Sequence, residues 1–185
     1  MTEHEQLTAI LAERSARQGE FTLASGARST LYIDARVTAM SPDGLALIGP
    51  LGLAAIVDAG WWVVDSVGGL TLGADPVSYA IAYASALAGT PVRAFTVRKE
   101  VKGHGTGKLI EGPFREGDRV VVIEDVITSG GSALRAVDAV ASAGAVVVGV
   151  LSLVDRQEGG RERIESAGYS VRALVTAAEI VARMK

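Results

Sequence analysis

The chain has 185 residues, 49% of them hydrophobic, which is enough to bury a sizeable core and fits a single domain spanning 1–185. Its 18 basic and 21 acidic side chains leave a formal net charge of −3, so no overall basic field favours nucleic acid or an anionic membrane surface. The absence of cysteine excludes disulfides, thiolate metal sites and thiol nucleophiles. With an acid-bearing start, "MTEHEQLTAILAER", and no apolar run of roughly 20 residues, the expectation is a soluble, cytoplasmic protein.

Thr2 and Glu5 have capping-box spacing ahead of Leu7, Ile10 and Leu11, which predicts a helix from 3 to about 17, ended in the Gly19 region. "FTLASGARSTLYID" reads as two short strands around a Ser-Gly turn. Ser41 and Pro42 supply an N-cap and a first-turn proline for a helix near 42–58, with a kink expected at Pro50. From residue 61 the pattern becomes short β-rich runs between helical stretches: "WWVVDSV", a helix over 74–88, "VRAFTV", a polar connection over 98–118, "RVVVIED", a helix over 131–142, then "AVVVGVLSLV". A strand near "YSVRALV" and a helix opened by Thr176 and Glu179 close the chain. Strands apolar on both faces and alternating with helices predict an α/β fold whose central, mostly parallel sheet is covered on both sides.

The run "VVVIEDVITSGGS" over 120–132 carries the chemistry. Ligands of open parallel sheets bind at the carboxyl ends of strands, where Glu124 and Asp125 fall. The glycines and hydroxyls behind them, from Thr128 to Ser132, offer backbone N–H groups and a helix start suited to a phosphate monoester. Two carboxylates repel phosphate, so they belong against a neutral part of the same ligand, most simply a sugar diol. The plainer alternative for the acids is charge compensation at a helix start. Neither G-x-G-x-x-G nor G-x-x-x-x-G-K-[ST] is present in the positions that dinucleotide or Walker-type binding requires.

The stretch resembles the phosphoribosyl diphosphate signature of type I phosphoribosyltransferases. Three more stretches, "FTLASGARSTLYIDAR" at 21–36, "VRKEVKGHG" at 97–105 and "LVDRQEGG" at 153–160, resemble the orotate phosphoribosyltransferase branch, in the same order and at similar separations. The resemblance implies transfer of phosphoribose from 5-phosphoribosyl 1-diphosphate to orotate, giving orotidine 5′-monophosphate and diphosphate in de novo pyrimidine synthesis. It also implies Mg²⁺ held mainly through substrate diphosphate and ribose oxygens, with no direct protein ligand. It further implies a small hood, formed by 1–40 and the C-terminal part, contributing to the base site, and a homodimer with shared active sites.

Residue by residue, the resemblance assigns phosphoribosyl diphosphate to Arg98, Lys99, Lys102 and His104 and to Glu124, Asp125, Val126, Ile127, Thr128, Ser129, Gly130, Gly131 and Ser132. Lys102, His104 and Asp125 are the implied catalytic residues, with His104 a proton or hydrogen-bond donor to the departing diphosphate. Tyr32, Thr128 and Arg156 are implied at orotate, where a planar guanidinium suits a carboxylate. Read without the resemblance, the basic loop is a solvated charged segment, Tyr32 a core-edge residue and Arg156 a surface ion-pair partner.

The chain departs from the better-known bacterial pattern at Ala24, where many relatives carry a lysine, and in "GGLTLGADP" at 68–76, which replaces a Tyr-Lys loop expected to touch diphosphate. Backbone N–H groups of Gly68, Gly69, Thr71 and Gly73, assisted by Arg28, are the expected substitutes, and the equal alternative is that the Gly-rich turn serves packing. Competing functions are a phosphoribosyltransferase for another nucleobase and a non-catalytic phosphoribosyl-diphosphate-sensing regulator. Arg156 opposes the first, because a neutral base leaves it without a carboxylate. The acidic pI and the "RKEVKGHG" loop oppose the second.

Overall fold

The structure, a computed structural model, describes residues 1–22, 28–100 and 108–184. It opens with α1 (Glu3–Ile10), whose N-terminus carries the reciprocal Thr2/Glu5 capping box, and continues as one π turn over Leu11–Ser15. The helical run therefore ends at Ser15, before the predicted 17, because Ala16 already enters β1 (Ala16–Thr22). β1 pairs antiparallel with β2 (Arg28–Ile33) as a separate two-stranded sheet. A short α2 (Arg36–Ala39), absent from the sequence reading, leads to α3 (Pro42–Asp58), capped by Ser41 as expected and continuous through Pro50.

The remaining elements are β3 (Ser66–Leu70), α4 (Ala74–Leu87), β4 (Arg93–Val97), β5 (Ile110–Glu111), β6 (Arg119–Ile127), α5 (Gly131–Ser142), β7 (Val146–Asp155), α6 (Gly160–Ser166), β8 (Val171–Thr176) and α7 (Ala177–Arg183). β3 starts later than the "WWVVDSV" pattern suggests: Trp61 packs into the core, Trp62 is exposed and Val63 has a positive φ. The main sheet has the order β5-β4-β3-β6-β7-β8, parallel except for the two-residue β5 at its edge. β6 and β7 pair to their ends, where Ile127 faces Asp155, with the register shifted by one extra β7 residue, Val148, between the pairs Val120/Val147 and Val121/Gly149.

The alternation of β6 explains the layering. Val121 and Ile123 pack into a core with α1, α3 and α4, whereas Val120 and Val122 pack on the other face with α5. All four are fully buried, each contributing about 1.5–3 kcal/mol of transfer free energy. Central β3 and β6 are thus fixed from both sides, and their carboxyl ends hold the loops that follow in place. No helix among the described residues is long and apolar enough to cross a membrane.

Candidate functional site

A cleft of about 340 Å³ opens at the carboxyl ends of β3 and β6 and is lined by Tyr32, Lys99, Glu124, Asp125, Val126, Thr128, Ser132 and Arg156 among others. Strand alternation sends the two acids in different directions. Glu124 continues the Val120/Val122 face and is buried; Asp125 continues the Val121/Ile123 face and is half-buried. Burial, and then the neighbouring Asp125 charge, push the Glu124 carboxyl well above its ordinary range, with Arg135 opposing them. Asp125 accepts a hydrogen bond from the Val126 N–H at 3.0 Å. Its carboxylate lies against Gly73, where an added Cβ would collide with it.

Beyond β6 the chain turns through Gly130, left-handed at φ 74°, into α5. Thr128 and Ser132 line the cleft, and Ser129 is exposed beside it. The N–H groups of Ser129 and Gly130 meet no backbone acceptor among the described residues, and the first N–H groups of α5 lack one by helix geometry. The turn is braced from behind by Gly160, whose carbonyl lies 2.7 Å from where a Gly130 Cβ would stand. Arg163 donates to the Ser129 carbonyl at 3.2 Å. α6 supplies both braces, and the sequence reading missed it; the positive-φ Gly159 followed by Gly160 and an E-R-I-E run was the available signal. Ile127, assigned to the ligand by resemblance, has its side chain buried under α5, so only its backbone faces the loop region.

On the other wall, Arg156 is buried, and its Nη2 donates to Ser29 Oγ at 3.1 Å, the Leu31 carbonyl at 2.9 Å and Glu158 at 2.6 Å. Its Nε is buried without any partner among the described residues. Asp155 positions it: the carboxylate accepts from the Gln157 N–H at 2.8 Å and from Arg161 at 3.0 Å, shaping the turn, while the Arg156 N–H bonds the Ile127 carbonyl at 2.9 Å. Tyr32 stands exposed on β2 with its ring 5.5 Å from that of Phe21. Asp34 and Arg36, which the sequence reading did not single out, also line the cleft. They form a two-point pair at 2.8 Å and 2.8 Å, and this hydrogen bonding holds the Asp34 carboxyl below its ordinary range. The acid-x-Arg spacing in "IDAR" was the legible signal.

Of the basic segment, Lys99 lines the cleft, whereas Arg98 pairs with Glu111 at 3.2 Å and faces the neighbouring cavity under α5. Lys102 and His104 lie outside the described residues. The expectation for 68–76 needs correction. Gly68 and Gly69 are interior to β3, paired on both sides, and the Thr71 N–H donates to the Val97 carbonyl at 2.8 Å. Thr71, Leu72 and Gly73 line the cleft, and of the four expected donors only the Gly73 N–H, at the start of α4, meets no backbone acceptor among the described residues; the Thr71–Leu72 peptide is cis. Arg28 lines a separate small cavity with Glu20 and Phe21, away from this loop. No cluster of three His, Asp or Glu side chains suited to a metal occurs among the described residues.

One end of the cleft thus offers unsatisfied N–H groups and hydroxyls, the middle two acids, and the other end a guanidinium edge beside an aromatic ring. Comparison with known proteins agrees in kind. The phosphoribosyl transferase domain profile matches residues 68–182. The chain is 42% identical to the orotate phosphoribosyltransferase of Aquifex aeolicus over 184 residues, covering 98% of this chain and 99% of that one. It superposes with a TM-score of 0.85 on the Mycobacterium tuberculosis orotate phosphoribosyltransferase in complex with Fe(III) dicitrate, at 42% identity, covering 97% of this chain and 99% of that one. A structure of the same enzyme in complex with 5-phospho-alpha-D-ribosyl 1-diphosphate gives a TM-score of 0.81 at 39% identity, with 97% and 99% covered.

Proposed function

The chain belongs to the orotate phosphoribosyltransferase family and transfers phosphoribose from phosphoribosyl diphosphate to orotate, giving orotidine 5′-monophosphate and diphosphate; from this premise we propose how its side chains divide the work. The 5′-phosphate sits in the 128–132 turn, where N–H groups and the Thr128 and Ser132 hydroxyls point at it. Glu124 and Asp125 accept from the ribose hydroxyls. Arg156 turns its unpaired Nε edge to the orotate carboxylate, and Tyr32 covers the ring. The observation that carries this reading is that Arg156, whose buried Nε has no partner among the described residues, lines the same cleft as both acids. An unsatisfied guanidinium edge is costly unless a ligand completes it.

As diphosphate leaves, positive charge develops at the ribose C1, so the site must hold orotate in line and neutralise the leaving group. Lys99 at the cleft, with Lys102 and His104 from the following loop, is assigned that second task. Mg²⁺ suits the hard oxygen donors of diphosphate and ribose; when bound it neutralises the leaving group, with Glu124 and Asp125 in the same cleft. The working form is a symmetric homodimer in the cytoplasm, the loop bearing Lys102 and His104 completing the site of the partner subunit.

A spectroscopic assay of orotate consumption with phosphoribosyl diphosphate and Mg²⁺, run beside adenine, hypoxanthine, xanthine and uracil, tests the base assignment. Turnover of a neutral base in preference to orotate overturns it. For the shared site, Lys102→Ala and Asp125→Asn proteins should each be nearly inactive, and hybrids formed by subunit exchange should regain activity. Hybrids as inactive as their parents confine the loop to its own subunit.

A further inference from the structure

The turn between β3 and α4 has no basic side chain from Leu70 to Ala74, although it borders the cleft. What it has instead is a buried anchor. Asp75 is 8% exposed, and each of its carboxylate oxygens takes one hydroxyl: Thr71 donates to Oδ2 at 2.7 Å and Thr96 to Oδ1 at 2.8 Å. A carboxylate can only accept, so the Thr96 proton is committed to Asp75, and the Tyr79 hydroxyl, 3.0 Å from Thr96 Oγ1, must donate to Thr96. The network ties the turn to β4, to which the Thr71 N–H is also bonded. Gly73 is held against the Asp125 carboxylate at a distance no side chain would allow.

We propose that Asp75 is a positioning residue for diphosphate: through Thr71 and Thr96 it fixes the Thr71–Gly73 backbone beside Asp125, so that backbone rather than a lysine faces the leaving group. The proposal rests on reading this cleft as the phosphoribosyl transfer site. Two features separate it from simple charge compensation at the start of α4. Both carboxylate oxygens are directed to hydroxyls rather than to helix N–H groups, and one of those hydroxyls comes from a different strand.

Orotidine 5′-monophosphate separates a local effect from general damage, because it fills the phosphate, ribose and base positions but carries no diphosphate. Calorimetric titrations with Mg²⁺ would compare it with phosphoribosyl diphosphate and free diphosphate on the wild-type protein and on Asp75→Ala, Thr71→Val and Thr96→Val. Asp75→Ala should weaken both diphosphate ligands by about tenfold to a hundredfold, as for a displaced binding group, and leave orotidine monophosphate within about twofold. The two near-isosteric valine variants keep the helix charge and should show the same selective loss to a smaller degree; they decide the matter if Asp75→Ala does not fold. Equal weakening of all three ligands, or unchanged diphosphate affinity in the valine variants, overturns the proposal. A wild-type protein that binds none of the three ligands refutes instead the reading of the cleft.

Discussion

Gly73 and Asp125, one capping the start of α4 and the other near the end of β6, are in contact at the cleft with no room for a Cβ between them. Gly73 has an ordinary helical backbone, φ −66° and ψ −44°, so alanine there is strained only by that contact. Gly73→Ala should destabilise the protein by about 1–3 kcal/mol, the usual cost of overpacking. The same change in an Asp125→Ala background should cost much less. Urea denaturation of the four proteins checks this, and a coupling near zero removes the contact as the reason for glycine.

Gly160 makes the complementary prediction. A Cβ there would meet the Thr128 carbonyl and stand 2.8 Å from the Gly130 nitrogen, pushing the 128–130 turn, proposed above for the 5′-phosphate, forward. Gly160→Ala should therefore weaken phosphoribosyl diphosphate and orotidine monophosphate alike, by about tenfold or more, since both carry the 5′-phosphate. Calorimetry with the two ligands is the check; a loss confined to one of them places the damage elsewhere.

Replacing Arg156 should act mainly on orotate. Losing a charge-assisted pair at a buried site costs about 2–3 kcal/mol, so Arg156→Lys should raise KM for orotate far more than KM for phosphoribosyl diphosphate. The same guanidinium holds Ser29 and Leu31, so hydrogen exchange in β2 should also quicken. Equal changes in the two KM values would make Arg156 a structural residue.

For Glu124 the sign follows from burial. Its folded pKa is raised above the ordinary value of 4.5, so between these values the folded state keeps a proton that the unfolded state has released. Wild-type stability therefore falls as pH rises through that window and is spared below it. Glu124→Gln does not titrate, so its stability relative to wild type should improve from pH about 4 upward. Denaturation curves of the two proteins across pH test this, and parallel profiles contradict it. Phosphoribosyl diphosphate affinity should drop in the same variant.

Most of the frame was legible because its signals are local. Ser41 and Pro42 start α3, Thr176 and Glu179 form the capping box of α7, and the "VVVI" run marks the doubly covered β6. The errors arise where distant partners decide. Ala16 leaves the helix because Ile33 is there to pair with it, and Gly68 and Gly69 read as free donors until β4 and β6 close on either side. Asp75 is, in sequence, one acid in the first turn of a helix; its meaning depends on Thr96, which another strand supplies. Asp125 and Arg156 could be named from their motifs, but the unpaired Nε and the Gly73 contact are products of packing.

The extra residue in β7 bears on how such a chain can change over generations. Val148 offsets β7 by one position near the start of the strand, and everything beyond it, up to the Asp155–Ile127 pair and the Arg156 N–H bond, inherits that offset. Because Val148 is the unpaired residue, deleting it would leave Val147 opposite Val120 and Gly149 opposite Val121, and Asp155 and Arg156 would keep their places. A deletion beyond it, where the pairing runs without a shift, would slip the strand by one and turn its side chains to the opposite face. A one-residue deletion can therefore be absorbed at Val148 or in the turns above the sheet, but not between Gly149 and Asp155, where it would reverse the faces that carry the cleft.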